Sequence, residues 1–264
     1  GPNGAGKTTA IALLLGITRP DAGRVELFGI DPQRLAARRR IGVMLQDAAL
    51  QPTLRVDELI RLTSSSYPRP RDFGEVALLA GVEGLLPRRY GKLSGGQKRC
   101  VQFALAICGD PEILFLDEPT VGLDHEARGA MWKTLRALTE RGCAIVLTTH
   151  YLEEAETLAD RVVVLNRGKV VAEGSVEAIR AHVAQRRIRC ISALNVETLR
   201  AWPSVTRAER EGDRLNIVTT EAEAVLRRLL VADPGLRELE VQRAGLAEAF
   251  VEITRTETVE KEAA

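Results

Sequence analysis

An excess of charge of either sign is missing from this sequence. Its 264 residues carry 37 Lys and Arg against 36 Asp and Glu, a net charge of +1. A protein that holds nucleic acid by bulk charge needs a strong basic excess, so that class is disfavoured, though a local basic patch is not. Long hydrophobic runs are missing too: no stretch reaches the ~18 apolar residues that span a bilayer as a helix. Cysteine and histidine are scarce. Cys100, Cys108, Cys143 and Cys190 form no C-x-x-C pair, and with only His125, His150 and His182 beside them no zinc spacing appears. The thiols read as free and buried in a reducing cytosol. What is present is ordinary: 45% hydrophobic and 28% charged residues, near globular averages, which excludes wholesale disorder. The length suits one large domain or two smaller ones and needs no disulfide or metal staple.

Along the chain, Ala10–Leu15 is a short apolar helical run stopped by Gly16. Arg24–Phe28 alternates between Gly23 and Gly29 and reads as a strand, and Ile41–Leu45 as a buried strand after a solvated basic run, Arg38–Arg40. Residues 51–92 look mostly helical, broken at Pro68, Pro70 and Pro87. Gln97–Ile107 has helical spacing, with Val101, Ala104, Leu105 and Cys108 on one side. Ile113–Leu116, Ala144–Thr149 and Val162–Leu165 are continuous apolar runs of the kind that suits parallel strands buried on both faces. A helix over His125–Arg141 separates the first two, which implies an α/β fold. After Gly174 the pattern becomes helix (Ser175–Gln185, capped by Ser175), strand (Arg186–Ala193), helix (Val196–Trp202), and two strands turned at Gly212-Asp213. A helix (Glu221–Val231), a strand (Leu236–Gln242) and a last helix (Leu246–Ile253) follow. That is a βαββαβ order. The final residues, 256–264, read as a frayed tail.

Two segments carry chemistry. Gly1-Pro2-Asn3-Gly4-Ala5-Gly6-Lys7-Thr8-Thr9 is a phosphate loop: glycines turn backbone N–H groups onto phosphates, Lys7 supplies a point charge, and the Thr8 hydroxyl can ligate Mg²⁺. The helix that follows adds its positive dipole end. The second segment, Ile113-Leu114-Phe115-Leu116-Asp117-Glu118, is an apolar strand ending in two carboxylates. Asp117 is placed to hold Mg²⁺ and Glu118 to act as general base on an attacking water. On its own this segment reads more safely as two surface carboxylates capping a strand; beside a phosphate loop the chemical reading wins. The chain opens directly on the loop, without the strand that normally leads into one. It therefore reads as a piece of a longer chain, truncated at that loop.

Leu93-Ser94-Gly95-Gly96-Gln97, with GPNGAGKTT ahead of it, makes the chain resemble the nucleotide-binding subunit of an ABC transporter. The resemblance implies a P-loop NTPase of ABC ATPase type over residues 1–180, with a helical signature subdomain over 51–92. A small α+β accessory domain of βαββαβ type follows over 187–255. It implies ATP and Mg²⁺ as cofactors, held by residues 1–9, with Gln46 joining Thr8 and Asp117 at the metal. It makes Gln46 and His150 partners of Glu118 in catalysis, and Asp124 of Val121-Gly122-Leu123-Asp124 an interface residue. Two subunits would dimerise head to tail, each ATP clamped between one Lys7 loop and the other subunit's Leu93–Gln97 loop. The phrases PTVGLD, TTHYLEEAETLADRVVVLNRGKVVAEGS and GLAEAFVEITR look like the antibiotic and multidrug exporter group of the daunorubicin-resistance type. That group keeps its permease on a separate chain, so the implied place is the cytoplasmic face of the cell membrane. The implied cargo is a drug, antibiotic or lipid-like compound, and no nucleic-acid partner is expected. The segment 51–92 would carry the permease contact, with Leu54, Leu62 and Tyr67 as candidates. Three alternatives stand beside this reading: a soluble ABC ATPase outside transport, an importer subunit with a regulatory tail, and a non-catalytic truncated remnant.

Overall fold

The computed structural model describes residues 1–2, 4–46, 48–181 and 186–243, and single helical positions at Leu246, Ala249, Phe250 and Ile253. The expected helix end at 182–185 and the tail at 256–264 lie outside the described residues. The chain forms two compact units, Gly1–Glu154 and Ala155–Ala264.

In the first unit the order is α1 (Lys7–Leu14), α2 (Leu35–Arg38), β1 (Ile41–Met44), α3 (Val56–Ser64), α4 (Phe73–Leu79), α5 (Gly95–Ile107), β2 (Ile113–Asp117), α6 (His125–Glu140) and β3 (Ala144–Thr148). Short 3₁₀ turns at Glu83–Leu85 and Tyr90–Lys92 complete the helical stretch before α5. The three strands form one parallel sheet in the order β1-β2-β3, with Ile41 opposite Ile113 and Asp117 opposite Thr148. Parallel strands need crossovers, which α6 supplies between β2 and β3. The sheet centre is apolar because it is covered: Leu114, Phe115 and Leu116 of β2 are all buried. Ile11 and Leu15, at the end of α1, share a core cluster with Ile41 and Phe115, and this packing seats the phosphate loop against the sheet. Helix α5 is buried nearly all round, as a helix at the centre of a unit must be.

Helix α7 (Leu152–Leu158) carries the chain across the division. The second unit continues with β4 (Val162–Asn166), β5 (Lys169–Gly174), α8 (Val176–Ala181), β6 (Arg186–Ile191), α9 (Val196–Arg200), β7 (Val205–Glu211), β8 (Arg214–Thr219), α10 (Ala222–Ala232) and β9 (Arg237–Arg243). Strands β6–β9 form an antiparallel sheet in the order β7-β8-β6-β9. Its core comes from alternate residues such as Ile188, Cys190, Leu215 and Ile217, packed under Leu199, Trp202, Val225 and Leu229. The βαββαβ order is thus observed, and Ser175 caps α8 by accepting from the Ala178 N–H at 3.1 Å.

Three expectations are corrected. Ala144–Thr149 gives the parallel strand β3, but Ala144 and Val146 are exposed, so it is not buried on both faces. Arg24–Phe28 is not a strand: its only pairing among the described residues is an isolated bridge between Leu27 and Ile30. Alternation suits a strand, but a strand needs a partner ladder. Val162–Leu165 is a strand, but it pairs antiparallel with β5 and leaves Val163 47% exposed, so it is not buried on both faces. A run of valines fits either setting.

Candidate functional site

The phosphate loop turns through left-handed backbone at Gly4 (φ 76°) and Gly6 (φ 100°), where only glycine is unstrained. Gly6 is the N-cap of α1, so the first free N–H groups of that helix open directly onto the loop. The Lys7 ammonium donates to the carbonyls of Gly1 at 2.7 Å and Pro2 at 3.0 Å. The loop therefore closes around its own cation. Thr8 and Thr9 are exposed in the first turn of α1, and Ala5 is buried beneath the loop. Asn3 lies outside the described residues.

At the C-terminal end of β2 the two carboxylates diverge. Asp117 is 1% exposed; one of its oxygens accepts from the Thr148 hydroxyl, and Oδ2 is buried with no hydrogen-bond partner among the described residues. A buried carboxylate oxygen without a donor is costly, and a bound cation would relieve it. The donor set fits Mg²⁺: a carboxylate oxygen here and a hydroxyl at Thr8 are hard oxygen ligands. Among the described residues no cluster of three or more His, Cys, Asp or Glu could hold a metal unaided. Mg²⁺ usually binds through one or two protein oxygens, with phosphates and water completing its shell.

Glu118 follows in left-handed backbone, φ 49°, its N–H donating to the Thr148 carbonyl at 3.0 Å. That turn swings its carboxylate out of the strand line. The carboxylate, 13% exposed, meets His150 Nδ1 at 3.2 Å from Oε1. Residues far apart in sequence converge because β2 and β3 run parallel and end together. Gln46, just past β1, is exposed beside them on the third strand end of the sheet.

The Leu93–Gln97 loop begins α5. Leu93 is buried as an anchor, while Ser94 and Gly95 are exposed. Ser94 and Gln97 form a capping box: the Ser94 hydroxyl accepts from the Gln97 N–H at 3.3 Å, and the Gln97 side chain accepts from the Ser94 N–H at 3.1 Å. A Cβ at Gly96 would stand 3.2 Å from the Gly122 carbonyl oxygen, a tight contact, whereas a Cβ at Gly95 would meet nothing within 4 Å among the described residues. Asp124 caps α6, accepting from the Ala127 N–H at 2.8 Å. In the segment 51–92, Leu62 is 62% exposed, whereas Tyr67 is half-buried and donates to the Ile41 carbonyl at 3.2 Å. The four cysteines carry no disulfide, and burial pushes their thiols up.

Sequence reasoning missed Arg99. This arginine is 8% exposed, yet it donates to backbone carbonyls at the ends of both β1 and β2. The one signal was a charge at the i, i+3, i+7 spacing of Arg99, Gln102 and Ala106 on a helix otherwise apolar past its first turn.

Comparison with known proteins gives the chain's relatives. The family described as ABC transporter matches residues 1–121. A Nod factor export ATP-binding protein I of Rhizobium sp. (strain N33) is 40% identical over 266 residues, covering 97% of this chain and 87% of the relative. A daunorubicin resistance ATP-binding protein of Streptomyces coeruleorubidus is 36% identical over 283 residues, covering 100% of this chain and 88% of the relative. Among solved structures, an ATP-binding subunit of an ABC transporter superposes with a TM-score of 0.63 at 28% identity, over 68% of this chain and 78% of the other. A dimeric ATP-binding cassette in a post-hydrolysis state with ADP and Pi gives 0.59 at 25% identity, over 66% and 82%.

Proposed function

The chain belongs to the ABC transporter family, as an ATP-binding and ATP-hydrolysing subunit related to exporters, and from that premise we propose how its residues divide the work. The observation that carries the reading is the meeting of Glu118 and His150 beside an unpartnered oxygen of Asp117. Lys7 exchanges the Gly1 and Pro2 carbonyls for phosphate oxygens, which offer it a full counter-charge. Glu118 accepts the proton of the attacking water, and His150 orients that carboxylate and faces the terminal phosphate. Thr8, Asp117 and Gln46 hold Mg²⁺, which supplies charge neutralisation on the phosphates.

We assign the ATPase to residues 1–180, with 51–92 as its helical subdomain, and treat 187–255 as an accessory packing domain. The catalytic unit is a homodimer in which Ser94 and Gly95 approach the partner's ATP. What supports that reading is that Ser94 and Gly95 are exposed at the start of α5 and that, among the described residues, nothing lies within 4 Å of a side chain placed at Gly95, which leaves room there for a ligand. Asp124 lies at the same interface, in addition to capping α6. A separate permease docks on the helical subdomain, where Leu62 is exposed, and so holds the subunit at the cytoplasmic face of the membrane. The cargo is an antibiotic-like or lipid-like compound.

The test is ATP turnover and nucleotide binding by the protein and by Glu118→Gln. The variant keeps ATP affinity and loses about 10²–10⁴-fold in rate, the usual contribution of a general base. Turnover by Glu118→Gln at the parent rate would remove Glu118 from the mechanism.

A further inference from the structure

The buried guanidinium of Arg99 sits where three parts of the ATPase meet. Nη1 donates to the carbonyls of Leu45 at 3.1 Å and Gln46 at 3.2 Å, and to Gln102 Oε1 at 2.9 Å. Nη2 donates to the Asp117 carbonyl at 3.2 Å and to the Glu118 carbonyl. These carbonyls lie at or just past the ends of β1 and β2. Gln102 is held in turn by the Tyr90 hydroxyl, which accepts from its Nε2 at 3.0 Å. Tyr90 lies in the 3₁₀ turn that leads into Leu93 and Ser94. One polar network therefore runs from the start of the Leu93–Gln97 loop, through α5, to the backbone of Gln46, Asp117 and Glu118.

The chemistry of the group gives this arrangement its meaning. Guanidinium stays charged at any ordinary pH and presents its donors in a rigid planar fork. Buried, it is satisfied only while several acceptors converge on one plane, so it fixes the carbonyls it binds relative to each other. One of them belongs to Glu118, whose backbone sits in a left-handed conformation that a non-glycine residue leaves unless held. The direction of the Glu118 carboxylate follows from that backbone, and the neighbouring carbonyl fixes the start of the Gln46 loop.

We propose that Arg99 is a positioning residue for hydrolysis, its guanidinium locking the Glu118 and Gln46 backbones so that the general base stays aimed at the attacking water. The proposal rests on the reading of Glu118 as base. It differs from a role in folding alone, because a misaimed base slows chemistry and leaves nucleotide contacts intact. A displacement of about 1 Å in a catalytic group is enough to cost on the order of 10²-fold.

The experiment compares the protein with Arg99→Met, Arg99→Lys, Tyr90→Phe and Glu118→Gln. It measures kcat and KM for Mg-ATP and the affinity for a fluorescent trinitrophenyl ATP. Arg99→Met is expected to lower kcat about 10–100-fold, with KM and analogue affinity within about threefold of the parent. Arg99→Lys, which keeps a charge and three donors, is expected to recover part of kcat. If Arg99→Met does not fold, Tyr90→Phe carries the test through Gln102, with a smaller fall in kcat at unchanged KM. Parent kcat in the folded Arg99 and Tyr90 variants would overturn the proposal, and so would a kcat loss matched by an equal loss of analogue affinity. Should Glu118→Gln itself turn over normally, the reading of the base fails instead, which separates the two outcomes.

Discussion

Glu118 shows most clearly what a single residue gives up for its role. At φ 49° an L side chain crowds its own carbonyl, at a cost of about 1–2 kcal/mol that glycine would not incur. Its carboxylate is also largely withdrawn from water and leans on His150. A site optimised for stability would hold glycine there, so strain and chemistry point to the same residue. Glu118→Gly is therefore expected to raise the stability of the first unit by up to about 1 kcal/mol while stopping turnover. Thermal unfolding of the nucleotide-free protein checks this. A fall in melting temperature would show that the contacts of the side chain outweigh its backbone cost.

At the scale of elements, the approach of α5 to β1 decides the geometry of the site. A Cβ on Gly42 would lie 2.0 Å from the Ala106 carbonyl oxygen, a backbone atom that cannot move without moving the helix. Overpacking of a core costs about 1–3 kcal/mol where side chains can give. Gly42→Ala is expected to exceed that range in denaturant unfolding, and to lower ATP turnover even in the fraction that stays folded, because α5 carries Arg99. Unchanged stability would mean that helix and strand separate easily. Neither Gly42 nor Arg99 was legible in the sequence, and the reason is physical: each is defined by a neighbour distant in sequence. The phosphate loop and the Asp117–Glu118 strand end were legible because each acts within a few residues of itself. The Arg24–Phe28 alternation misled for the opposite reason. It met the local condition for a strand, but pairing is set by what lies alongside.

For the molecule as a whole, the division into two units with separate cores makes separate responses to acid measurable. The βαββαβ order of the second unit was readable because antiparallel strands with one buried face alternate cleanly, as in Ile188 and Cys190. One carboxylate that couples this unit to acid is Asp233, which follows α10. The Ser192 hydroxyl donates to this carboxylate at 2.6 Å, the Ala193 N–H at 2.9 Å and the Gly235 N–H at 3.0 Å, so one side chain ties the segment after β6 to the turn before β9. The Ser192 hydrogen bond, followed by that of Ala193, holds the carboxyl below the usual aspartate range, against a smaller opposing effect of burial. A depressed carboxyl contributes stability that is complete above its unfolded value, near 4, and is lost as pH falls through the folded value. The two tryptophans report the units independently: Trp132 lies in α6 of the first, and Trp202 is buried in the core of the second. With Trp132 replaced by phenylalanine, Trp202 fluorescence during thermal unfolding between about pH 6 and 2 follows the second unit alone. Its midpoint is expected to fall below pH ~4. In Asp233→Asn it should start lower at neutral pH and vary less with acid, so that the two curves converge at the lowest pH. Parallel curves would show that Asp233 does not govern the acid response of this unit.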